Sequence, residues 1–126
     1  MAGEFGRFIN EKRIGRADGG GDILVKDLAA AIGTSATYLS DIIKGRRNPP
    51  DIKTLEKISQ ALKLTDAERT EMLDFAGRER NEAAPDLPDY LMDENIPHVR
   101  VALRKATNKR LGDEFWKQVA DTIDEE

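Results

Sequence analysis

Cysteine is absent from the 126 residues. Its absence excludes a disulfide framework and any zinc site built on thiolates, and it fits a reducing cytosol. Histidine occurs once, as His98, and no HExxH, P-loop or nucleophile-elbow pattern is present. The carboxylates of Asp113-Glu114 and Asp124-Glu125-Glu126 have no partner residues around them in sequence and read as solvated faces. Catalysis, a metal site and a bound cofactor are therefore not expected. Apolar runs are only a few residues long, far from the roughly 20 that span a bilayer. The start, MAGEFGRF, lacks a basic segment followed by an apolar core, so it does not read as a signal peptide. The expectation is a soluble cytoplasmic protein with no membrane partner.

A basic excess is also missing: 20 Lys and Arg face 24 Asp and Glu, for a net charge of −4. The deficit is uneven. Residues 1–50 carry eight basic and six acidic side chains, whereas residues 81–126 carry six basic and eleven acidic ones. A negative total excludes no class of partner, because the field at a binding face matters more than the total.

Apolar spacing is helical nearly throughout, and no stretch alternates as a strand does, so the chain reads as all-α. A first helix over about 4–14 has Phe5, Phe8 and Ile9 on one face. GRADGGGD (15–22) follows, either a solvated connector or an arm reaching a phosphate through Arg16. The most informative window is VKDLAAAIGTSATYLSDIIKG, residues 25–45. It gives a helix over 25–32, a turn, and a helix over 36–44 ended by Gly45. Ala29 is small where two crossing helices must touch. Gly33 tolerates the positive φ that ends the first of them. Leu39 and Ile42 face Leu28 and Ile32 across the crossing. Together these features define a helix-turn-helix.

Beyond it, Asn48-Pro49-Pro50 blocks further helix, and Pro50 or Asp51 opens a fourth helix with Leu55, Ile58, Leu62 and Leu64 on its buried side. Thr65 and Glu68 form the pattern of a capping box for a fifth helix. Its core face is Met72, Leu73, Phe75 and Ala76, with Gly77 near its end. Residues 80–86, inside the polar run RERNEAAPD, read as a linker between a first domain (1–79) and a C-terminal helical segment (87–126).

FGRFINEKRI together with residues 25–64 resembles the XRE (Cro/repressor-like) family of bacterial and phage transcriptional regulators. The resemblance covers about residues 5–78. It implies a five-helix DNA-binding domain whose third helix enters the major groove of double-stranded DNA, usually as a dimer on a palindromic operator. Two departures are visible: the long loop 15–22, and Ile43, where the family often has an acidic residue. Relatives of this kind are often encoded beside a partner protein. An antitoxin-like or protease-controlled protein that autoregulates its own operon is therefore the alternative to a plain repressor.

With Leu39 and Ile42 turned inward, the side chains expected at base edges are Ala36, Thr37, Tyr38 and Asp41. Tyr38 either lies along the sugar–phosphate wall or packs over the preceding helix. Asp41 either accepts from cytosine N4 or pairs with a nearby Lys or Arg. Expected at phosphates are Lys26, Ser35, Lys44, Arg46, Arg47 and Asn48, with Ser35 serving first as helix N-cap. The C-terminal segment carries three short amphipathic stretches, too few for a core of their own. Homodimerisation is the favoured use of Tyr90, Leu91, Leu103, Phe115, Trp116 and Val119, ahead of packing within the chain or a second protein. Trp116, the chain's one tryptophan, is either the anchor of that interface or a plain core residue.

Overall fold

A computed structural model of the chain describes residues 3–126. Among the described residues there are eight helices and no strand: α1 (Glu4–Lys12), α2 (Val25–Ile32), α3 (Ala36–Ile43), α4 (Ile52–Ala61), α5 (Asp66–Glu79), α6 (Leu87–Leu91), α7 (His98–Asn108) and α8 (Asp113–Asp124). The chain divides into two compact units, one running through Pro88 and one starting at Asp89.

In the first unit the helices begin and end where local chemistry dictates. Ser35 caps α3, its Oγ accepting from the Tyr38 N–H at 3.0 Å, and Asp51 caps α4 by accepting from the Thr54 N–H at 3.0 Å. Thr65 and Glu68 form the expected reciprocal box at the start of α5. Gly33 closes α2 at φ 78°, a left-handed conformation that side chains with a Cβ resist. The fold then follows from four packed helix pairs: α2 with α4, α1 with α5, α2 with α3 and α1 with α3. Phe5, Ile9, Leu28, Leu39, Ile42, Leu55, Ile58, Leu62 and Met72 are fully buried at their centre. Ala29 is buried at the α2–α3 crossing, as its size demands.

Ile43 is a core residue, and its carbonyl lies against Gly6 of α1. A Cβ on Gly6 would stand 1.9 Å from that oxygen, so the two helices approach at a distance only glycine permits. Ile43, the second departure seen in the sequence, is thus an apolar residue in a buried place.

Two expectations are corrected. α1 ends at Lys12 rather than near residue 14, because the Arg13 carbonyl turns to accept from the Ile23 N–H at 2.8 Å while its guanidinium donates to the Ile23 carbonyl at 2.7 Å. The stretch 80–86, expected as a linker, is folded back onto the first unit. Ala84 is buried against the core, its chain passes so close to Gly77 that a Cβ there would sit 2.6 Å from the Ala84 nitrogen, and Arg80 donates to the Pro49 carbonyl.

The second unit has very little interior. Ala106 is its one buried hydrophobic residue among those described. Phe115 and Trp116 meet edge to face at 5.0 Å, and Arg100 donates to the Leu91 carbonyl at 2.8 Å. Neither α7 nor α8 opens with a side-chain cap bond: Pro97 precedes α7 and Gly112 precedes α8. Tyr90, Leu103, Phe115 and Ile123 are exposed, whereas Leu91, Trp116 and Val119 are half-buried.

Candidate nucleic-acid interface

The site is built on α3. Its inner residues Leu39, Ile42 and Ile43 are locked in the core, so the opposite face is held outward by the same packing. Ala36 and Thr37 in its first turn are exposed, and Ser40 and Asp41 one turn later are half-exposed. Gly45 (φ 81°) ends the helix. Its N–H donates to the Ile42 carbonyl at 3.1 Å and the Arg46 N–H to the Asp41 carbonyl at 2.8 Å. That double bond pattern throws Arg46, Arg47 and Asn48 off the helix end as exposed side chains.

The predicted contact residues, Ser35 apart, line two separate hollows. A hollow of about 430 Å³ between the start of α2 and the outward face of α3 is lined by Val25, Lys26, Ala36, Thr37, Ser40, Asp41, Lys44 and Arg46. It gathers six of the ten expected contact residues. Leu24 at the α2 N-cap offers no side-chain acceptor, so the first-turn N–H groups beside Lys26 are left to an outside anion, where the helix dipole favours one. A second hollow, of about 440 Å³, contains Tyr38, Arg47 and Asn48 with Asp51, Thr54 and Arg80. There the Arg47 guanidinium stacks 5.2 Å from the Tyr38 ring centre, and Tyr38 also leans on the core. Tyr38 therefore flanks the recognition surface instead of lying in its centre. Ser35, the remaining residue, is exposed at the α3 cap with its hydroxyl hydrogen free to donate outward.

Asp41 takes the second of its two readings: its carboxylate pairs with Arg46 at 3.5 Å. Arg46 is otherwise largely exposed, so this pair is weak and exchangeable for a phosphate. The expectation for Arg16 as a phosphate-reaching arm is corrected. Its guanidinium is committed to the protein, donating to the Leu62 carbonyl at 3.1 Å and to Glu68 at 3.0 and 2.7 Å. Glu68 also binds Lys12 at 3.0 Å and caps its own helix. These donors, Arg16 first, hold the Glu68 carboxyl well below the usual carboxylate range. The glycine-rich loop is thus fastened at both ends, with the Gly15 N–H also donating to Asp22 at 2.9 Å.

Two residues of the site were missed in the sequence. Ser40 lines the first hollow, and its position three after Thr37 and four after Ala36 was the signal. Arg80 lines the second from a position 31 residues beyond Pro49, and nothing in the local pattern announces that contact. Among the described residues no group of three or more His, Asp or Glu side chains is arranged to hold a metal ion.

A buried crossing at Ala29, a left-handed Gly33 and an outward α3 edged by cations define a helix-turn-helix DNA-binding domain. Residues 22–68, a little over a third of the chain, match a family model described as helix-turn-helix, and this segment is a helix-turn-helix of the XRE type, the mark of a DNA-binding transcription regulator. The match begins in the loop before α2 and ends in the first turn of α5. Comparison with curated proteins and with solved structures returns no significant match. No helix of the described residues is long and apolar enough to cross a membrane.

Proposed function

We propose that the protein is a sequence-specific regulator, acting as a repressor, that lays α3 in the major groove and binds a palindromic operator as a dimer. The observation that carries this reading is the hollow beside α3, where the exposed Ala36 and Thr37 sit between Lys26 on one side and Lys44 and Arg46 on the other. Short side chains at the centre leave room for base edges. Thr37 donates or accepts at a base, or sets its methyl against a thymine methyl, and Ala36 makes the same apolar contact. The cations and the open α2 terminus fall where the two sugar–phosphate walls pass. Tyr38, Arg47 and Asn48 serve the backbone on the far side, with Arg47 held in place by the Tyr38 ring. Repression follows from occupancy, because a domain filling the groove excludes other proteins from that stretch of duplex.

Dimerisation falls to the second unit, whose Tyr90, Leu103 and Phe115 are exposed. Four or five phosphate contacts per copy give eight to ten per dimer. At about 0.9 ions released per contact, log K should fall against log salt with a slope of roughly −7 to −9. A salt titration of duplex binding by fluorescence anisotropy tests this. A slope near zero would remove the phosphate track from the account.

A further inference from the structure

The two long helices of the second unit carry opposite charge. Residues 98–112 hold Arg100, Arg104, Lys105, Lys109 and Arg110 and no Asp or Glu. Residues 113–126 hold six carboxylates and one base, Lys117, which is already paired with Asp121 at 2.9 Å. Each helix also has an apolar stripe. On α7 it is Val99, Leu103 and Ala106; on α8 it is Phe115, Val119 and Ile123, at the spacing that puts each set on one face. Val99 (36%), Leu103 (37%), Phe115 (38%) and Ile123 (65%) remain exposed. α7 and α8 are absent from the extensively packed helix pairs, and no ion pair between them is present among the described residues. The four residues between them would permit a hairpin, yet the chain leaves Val99 and Leu103 on α7 and Phe115 and Ile123 on α8 exposed.

We infer that this unit is a self-complementary dimerisation module, in which basic α7 of one copy docks on acidic α8 of a second copy. The inference deepens the dimer proposed above and does not depend on DNA recognition. A second copy is the occupant that the charges select. Every copy brings one basic and one acidic helix, so a two-fold arrangement makes the same α7–α8 contact twice and leaves neither charge unmatched. An acidic or basic foreign partner would satisfy one helix only. The apolar stripes close between the helices, and the flanking charges fix the pairing and speed encounter. α7 against α7, or α8 against α8, is disfavoured by like-charge repulsion.

Sedimentation of the full chain, with two charge-reversed variants, tests this. One variant carries Arg104→Glu, Lys105→Glu and Lys109→Glu; the other carries Asp121→Lys, Asp124→Lys and Glu125→Lys. The native chain should be dimeric at low salt and dissociate as salt rises. Each variant alone should dimerise roughly 100-fold more weakly, and an equimolar mixture should restore dimers of one chain of each kind. A monomeric native chain, or variants that self-associate like the native chain, would overturn the inference. So would a mixture that stays monomeric while both variants keep native helicity by circular dichroism. Should either variant lose helicity, the native chain decides alone, and a dimer left unchanged or strengthened by salt contradicts the charge pairing. Anisotropy with random duplex on the monomeric variants separates the two readings, since their α3 faces are untouched.

Discussion

Thr37 and Arg46 stand a few residues apart and have opposite tasks. Thr37 offers a hydroxyl and a methyl at the first turn of α3, the part of a recognition helix that meets base edges. Arg46 leaves the helix end loosely paired with Asp41 and carries charge to the backbone. Thr37→Ala should cost about 1–2 kcal/mol on the preferred duplex and much less on random duplex, relaxing preference at one or two base pairs. Arg46→Ala should weaken both to the same extent and make the salt slope shallower by about one per copy. Anisotropy on the two duplexes measures both, and equal losses for Thr37→Ala would remove it from base reading. Stability at the same scale turns on Gly6. Its Cα faces the Ile43 carbonyl, and a Cβ at 1.9 Å forces backbone apart. Gly6→Ala should therefore destabilise the domain by about 2 kcal/mol or more, read as a lower urea midpoint. An unchanged midpoint would mean that α1 and α3 are not held so closely.

Helices are what the sequence announced best. The spacing of Leu28, Ile32, Leu39 and Ile42, the glycine at 33 and the Thr65–Glu68 box are local signals, and local signals survive folding. Long-range contacts carried no such mark. Arg16 reads as a free cation in a glycine-rich loop until Glu68, 52 residues away, is brought beside it. Arg80 and Ala84 read as linker until they pack on Pro49 and Gly77. The stacking of Arg47 on Tyr38, which sets both on one flank of α3, likewise had no mark in the sequence. The Arg16–Glu68–Lys12 cluster has a consequence for pH. Its carboxyl titrates lower in the folded chain than the ordinary value near 4.3, so the folded state favours the ionised form. The resulting stability is fully present above about pH 5 and is lost progressively as pH falls below about 4.3. Denaturant melts at pH 7 and pH 3 should show a larger loss for the native chain than for Glu68→Gln. Equal losses would mean that the loop is not fastened through that carboxylate.

At the scale of the whole molecule, charge and apolar surface are sorted between two units. The first unit closes its own core through Pro88 and keeps cations around α3, which lets an acidic chain present a basic face to DNA. The second unit leaves apolar residues exposed, and a pair of copies would set two α3 helices against successive turns of one groove, about 34 Å apart. The most direct test is selection of bound sequences from a random duplex pool by the purified full chain at low ionic strength. The account predicts enrichment of a short motif repeated with inverted symmetry about one helical turn apart, and loss of that enrichment with Thr37→Ala. A pool that stays random after repeated rounds would contradict it, because an outward α3 that reads no bases would be only a fold and not a regulator's reading head.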